Sequence, residues 1–161
     1  MIYDQIEQAY SIASQSFPGD LAALATAKNV SITTSCTFVK RQHADLFVQL
    51  GIVTPACGVY LTRVVTAVKS QTHRDVTGAA VFDYYATDPD PVKLAKQVEL
   101  AAEALLKSVD RLCGGDIIYG AGVLDDSITV ELSDGYEQTV APNYWRRALV
   151  RFPLYDRDTG L

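Results

Sequence analysis

Two histidines, three cysteines, a run of glycines and two acidic pairs are the residues here with the chemistry for catalysis or metal binding. His43 and His73 each sit in a polar segment close to arginine, with no helical histidine partner and no cysteine nearby, so metal ligation is not suggested. They read as solvated turn residues. Cys36, Cys57 and Cys113 are odd in number, widely spaced and set in apolar surroundings, which fits neither a disulfide framework nor a zinc site. Unpaired, buried thiols acting as small hydrophobes are expected. A Cys-His nucleophile needs one of these thiols to meet a histidine in space, and no local motif points to that.

Gly114-Gly115-Asp116 and Gly120-Ala121-Gly122 lack the third glycine, the following helix and the Lys-Ser/Thr pair that place amides and a cation on phosphate. They are better explained as a helix cap followed by a flexible approach to a strand. Asp125-Asp126 and the set Asp88, Asp90 do not have the spacing of a calcium loop, and both fall where aspartate serves as a cap or turn former. These residues therefore give no catalytic group, no metal site and no cofactor. What remains is Tyr144-Trp145-Arg146-Arg147 with Arg151, which combines aromatic rings with guanidinium groups suited to stacking on bases or anchoring a protein interface. Nineteen acidic residues against fourteen basic ones give a net charge of −5, which disfavours a nonspecific nucleic-acid binder. Protein contact is the better reading, with Tyr144, Arg146, Arg147 and Arg151 as the candidate subunit interface.

Several elements must position that cluster. Ile2, Ile6, Ala9, Tyr10, Ala13 and Phe17 recur at helical spacing, predicting an amphipathic helix from Ile2 to Phe17 that ends at Pro18-Gly19. Asp20 then caps a short second helix from Leu21 to Lys28, which stops at Asn29. Val30 to Val39 alternates apolar and polar residues as a half-wetted strand does. Leu46 to Val53 is ambiguous between a short strand and a packed loop. Cys57 to Val68 and Val76 to Thr87, rich in Val, Tyr, Thr and Phe, predict a long hairpin across the polar stretch Lys69 to Asp75.

Asp88-Pro89-Asp90-Pro91 stops the second strand and starts a helix, because proline fits the first helical turn. From Pro91 to Leu112, Ala95, Val98, Ala102, Leu105, Leu106, Val109 and Leu112 form one stripe along a helix of about 33 Å, packed on the sheet. Gly114-Gly115 ends it. Strands are expected at Ile117 to Leu124, at Ile128 to Leu132, at Tyr136 to Val140 after a Ser133-Asp134-Gly135 turn, and at Tyr144 to Tyr155. In the last, Ala148, Val150, Phe152 and Leu154 share one face, with Arg147, Leu149 and Arg151 on the other. Charge reversal at Arg147 or Arg151 is therefore expected to weaken assembly more than folding.

This order of elements predicts an α+β fold, a mainly antiparallel sheet packed against an N-terminal helix and one long central helix, in a single domain spanning 1–161 with a flexible tail at 156–161. A chain of 161 residues buries enough surface for its own core. No apolar run approaches the roughly 20 residues of a membrane-spanning helix. With Asp4 and Glu7 and no basic leader, the N-terminus is expected to carry neither a secretory signal nor a transit peptide.

The layout resembles the tail terminator (lambda-type minor tail protein) family of long-tailed bacteriophages. The similar stretches are Pro55-Ala-Cys-Gly-Val-Tyr-Leu-Thr62, Gly78-Ala-Ala-Val-Phe-Asp-Tyr-Tyr-Ala86, Asp88-Pro-Asp-Pro91 and the aromatic-basic strand Tyr144 to Tyr155, which with the first helix span most of the chain. The resemblance implies a non-enzymatic virion protein without cofactor. It implies a homo-oligomeric, hexameric ring on the last ring of the tail tube, which stops tube growth, offers a surface to the neck or connector and lets DNA pass through its channel without sequence-specific contact. The implied location is the tail-neck region of the virion, and the host cytoplasm during assembly. Residues 116–140 run longer than in the shortest members of that family, which keeps another neck or head-completion protein as the nearest alternative. A small hydrolase or ligand-binding domain is the alternative of a different class, since catalytic groups need not be local in sequence.

Overall fold

The computed structural model describes residues 2–40, 54–68, 70, 74–113, 128–137 and 143–158. In chain order these give helix α1 (Ile2–Ala27), strands β1 (Thr37–Val39), β2 (Ala56–Val68) and β3 (Arg74–Asp88), helix α2 (Pro91–Cys113), and strands β4 (Thr129–Glu137) and β5 (Asn143–Asp158). The strands form one sheet in the order β1-β2-β3-β5-β4, with β1 parallel to β2 and all other neighbours antiparallel. The fold is α+β. Among the described residues, no helix is long and apolar enough to cross a membrane. His43, His73, Leu46 to Val53, Gly114-Gly115, Ile117 to Leu124, Gly120-Ala121-Gly122 and Asp125-Asp126 lie outside the described residues.

One face of the sheet carries the core. Cys57 and Val59 of β2, Ala80, Phe82, Tyr84 and Ala86 of β3, and Ala148, Val150, Phe152 and Leu154 of β5 are buried in one cluster with α1 and α2. Phe82 and Phe152 meet across the β3–β5 ladder with ring centroids 4.8 Å apart. The α2 stripe is broader than the expected one. Leu94, Val98, Ala101, Ala102, Leu105, Val109 and Leu112 are buried, while Ala95 and Leu106 sit at the margins. Its Gln97 donates from Nε2 to the buried Tyr84 hydroxyl at 3.0 Å, so both polar atoms are satisfied inside the core. Asp90 caps the helix, its Oδ1 accepting from the amides of Val92 at 2.9 Å and Lys93 at 3.3 Å, with Pro91 in the first turn.

The expected break at Pro18-Gly19 does not occur. Helix α1 runs through Pro18 for 26 residues. A proline inside a helix costs about 3 kcal/mol. Against that, Ala13 and Phe17 before it and Leu21 and Ala25 after it continue one buried stripe at four-residue spacing. Burying a side chain such as Phe17 or Leu21 is worth roughly 1.5–3 kcal/mol, so two of them offset the proline. Phe17 also lies against Phe38 and Tyr84, at 5.5 and 5.7 Å between centroids. Asp20, expected as an N-cap, instead forms a bidentate ion pair with Arg111 of α2. Arg111 holds the Asp20 carboxyl below the ordinary range. The helix ends in a Schellman motif: Asn29 adopts φ of 53°, and the amide of Val30 donates to the Ala25 carbonyl at 2.9 Å.

Three other expectations change. Residues 30–36 keep the expected alternation of exposure, yet ladder bonds begin only at Thr37, because β1 pairs with Ala56, Cys57 and Gly58 alone. The turn expected at Ser133-Asp134-Gly135 is absent, since β4 continues straight through to Glu137. Gly135 serves a close approach instead: the Trp145 indole crosses over it, and a Cβ there would sit 2.5 Å from ring atoms. Residues 156–158, expected to begin a flexible tail, pair with Val76, Asp75 and Arg74 and so extend β5. Of the cysteines, Cys57 is buried and Cys36 half-buried, and both are free thiols. Burial raises the pKa of each.

Candidate subunit interface

Among the described residues no helix lies on the second face of the sheet, and its polar groups come from the centres of three strands. Asp83 of β3 pairs in register with Gly58 of β2 and Leu149 of β5, and its side chain is fully buried. Two arginine bonds hold it, from Arg147 Nε to Oδ1 and from Nη2 to Oδ2, both 2.7 Å. Tyr60 donates its hydroxyl to Oδ2 at 3.1 Å. A carboxylate in this position needs such partners, since an unpaired buried charge costs several kcal/mol. The Asp83 hydrogen bond raises the Arg147 pKa further above its already high value. Burial, followed by the nearby Asp83 charge, pushes the Tyr60 phenol up to about 12.

The four candidate residues do not form one surface. They alternate along β5, so Tyr144 and Arg146 point to the helix side and Arg147 and Arg151 to the other. Tyr144 packs half-buried against the main core. Arg146 reaches toward Glu99 of α2 at 3.9 Å, and its Nε is buried without a hydrogen-bond partner among the described residues. With Pro91, Leu94 and Asp134 it lines a recess of about 260 Å³. Arg151 pairs with Glu131 on β4 at 3.4 Å, with both side chains well exposed.

Every one of these arginines therefore meets a carboxylate of its own chain. Arg147 in particular is a buried acid's partner rather than a free surface cation. The expectation that charge reversal there spares folding is overturned, because Glu at 147 would set a second carboxylate against Asp83. Sequence reading missed Asp83 and Tyr60 altogether. They lie 64 and 87 residues from Arg147 in the chain, and only strand pairing brings them together.

Further ion pairs within the chain lie elsewhere, among them Lys93 with Asp88 and Arg111 with Asp20. A groove of about 490 Å³ between the start of α1 and β2 is lined by Asp4, Glu7, Lys40, Tyr60 and Arg63. Within it, Lys40 donates to both Glu7 carboxylate oxygens at 2.7 Å and lies 5.4 Å from the Tyr10 ring centroid. Among the described residues, no group of three or more His, Cys, Asp or Glu side chains is placed to hold a metal ion.

The two edges of the sheet differ from both faces. Val64, Val65 and Val68 on β2 and Val130 and Leu132 on β4 are between 40% and 71% exposed, and of the large exposed hydrophobics among the described residues only Val92 lies elsewhere. Such aliphatics on opposite rims form two different apolar patches on one molecule. Neither a scan of protein-family models nor a search of curated proteins gives a match to this chain.

Proposed function

We propose that the protein is a structural virion component that assembles through identical head-to-tail contacts into a ring, of six copies by its resemblance to tail terminators. The ring caps a phage tail tube, ends its polymerisation and presents the surface that joins the head. The observation that carries this reading is the placement of exposed aliphatics on the two opposite edges of a single sheet. A ring needs two different, mutually complementary patches on each subunit, whereas a two-fold dimer needs one self-complementary patch. The buried pairing of Asp83 with Arg147 and Tyr60, and the exposed pair of Lys40 with Glu7 within the same chain, also support a structural role for these groups.

Deleting the protein from an infecting phage that encodes it tests the proposal. Overlong tails, or tails without heads, are the expected result under electron microscopy. Normal-length tails joined to heads overturn it. Tails of normal length that lack heads would point instead to a neck or head-completion role.

A further inference from the structure

Among the described residues the outer edge of β2 is paired for only three residues. Strand β1 covers Ala56, Cys57 and Gly58, and beyond Gly58 no described strand lies alongside. All residues from 62 to 68 are exposed. At the far side of the sheet β4 is the last described strand, and residues 129–134 are likewise all exposed. Each edge thus presents six or seven exposed residues with no described strand alongside, about the length of an ordinary strand. Beyond a bulge between Leu61 and Arg63 and the charge of Arg63, residues 59–68 carry no proline and no inward-pointing charge to blunt the edge.

Three features match the two edges to each other. The bulge shifts the β2 register, so that Val64 and Val68 pair with Gly78 and Arg74 and share the sheet face of Phe82. Val130 and Leu132 pair with Val150 and Ala148, which puts them on that same face. Charge is opposite, since β4 contains Glu131, Asp134 and Glu137 with no base, whereas residues 59–68 contain Arg63 and no acid. Strand direction is opposite as well. Counting antiparallel steps from β2 through β3 and β5 to β4, the two edge strands run in opposing senses.

We propose that residues 62–68 of one copy pair antiparallel with residues 129–134 of a second copy, so that the sheet continues from subunit to subunit. Main-chain bonds supply the pairing, and Val64, Val68, Val130 and Leu132 close together on one face of the joint. The inference deepens the ring reading and rests on it only for the closure of successive copies into a ring.

Variants of the full chain with one introduced cysteine test the pairing, in a background carrying Cys36→Ser and Cys113→Ser and keeping the buried Cys57. Val64→Cys or Val68→Cys is mixed with Val130→Cys or Leu132→Cys under oxidation at the highest soluble concentration. Disulfide-linked heterodimers in at least one mixture, with each variant alone staying uncrosslinked, are the expected result. Homodimers of a β2 variant or of a β4 variant alone would mean a two-fold contact and overturn it. So would the absence of cross-links in all four mixtures, which leaves the edges to another segment of this chain or to a different protein. As a second measurement, Val64→Glu/Val65→Glu sets carboxylates against those of β4 and should weaken self-association at least tenfold by sedimentation, while Val92→Glu on α2 leaves it unchanged. Equal effects of the two would count against the pairing. Heterodimeric cross-links in open filaments would support the edge pairing and sink the ring, whereas rings without such cross-links would sink the edge pairing alone.

Discussion

In its first four residues β2 is wholly buried, and over its last seven it is wholly exposed. Val59 at 1% exposure and Val65 at 40% belong to one strand, six residues apart, in neighbourhoods of similar composition. The helices cover Cys57 and Val59 of the first stretch, Val39 and Trp145 pack against Ala56 and Tyr85 on the other face, and the bulge at Thr62 separates this stretch from the second. A strand's composition fits it for a sheet, but burial depends on what another layer places over it. The covered half holds the fold together, and the uncovered half is free to meet a neighbour.

The largest test of the covered half lies in the helix layer itself. Leu105→Ala removes a fully buried side chain of α2 and is expected to cost about 2–5 kcal/mol in chemical denaturation, through lost burial and a residual cavity. A loss below about 0.5 kcal/mol would place Leu105 outside the core. On the opposite face, Arg147→Ala leaves the buried Asp83 without its main partner. Its expected cost is about 3 kcal/mol, the low end for breaking a buried pair, because Arg147 retains 26% exposure. The double variant Asp83→Asn/Arg147→Ala should recover part of that loss.

The sharpest comparison applies one substitution to both halves of β2. Val59→Ala should cost about 2 kcal/mol for two buried carbons and their cavity, whereas Val65→Ala should stay within about 0.5 kcal/mol. Equal values would mean that the outer half is covered too. A smaller effect comes from Tyr60, at the junction of the halves. Its pKa rises from 10.0 to about 12 on folding, so its contribution is complete below about pH 10 and disappears as pH climbs through about 12. Tyr60→Phe should flatten the stability profile over that window.

Smallest of all is the Asp20–Arg111 pair between the helices. The lowered Asp20 pKa contributes stability above the ordinary carboxylate value, lost as pH falls through the lower folded value. Arg111 is 43% exposed, so Asp20→Asn should remove no more than about 1 kcal/mol at neutral pH while flattening the acid limb.

By itself the sequence determined the elements whose signals are local. The α2 periodicity, the Asp90 cap with Pro91, the stop at Asn29, the β2–β3 hairpin and the alternation of Ala148, Val150, Phe152 and Leu154 all arise from spacing and backbone preference within a few residues. Other outcomes depended on contacts between distant segments, and only tertiary structure decided them. Pro18 stays inside α1 because Leu21 and Ala25 find the same core as Phe17, a gain that no window around the proline contains. Gly135 reads as a turn until Trp145 lies over it. Arg147 reads as a surface cation until β3 and β5 pair in the register that presents Asp83 to it. Pattern sets which face of a strand is apolar. Which stretch of that face is covered is settled by packing, through burial energies that local preferences of a few kcal/mol or less do not outweigh.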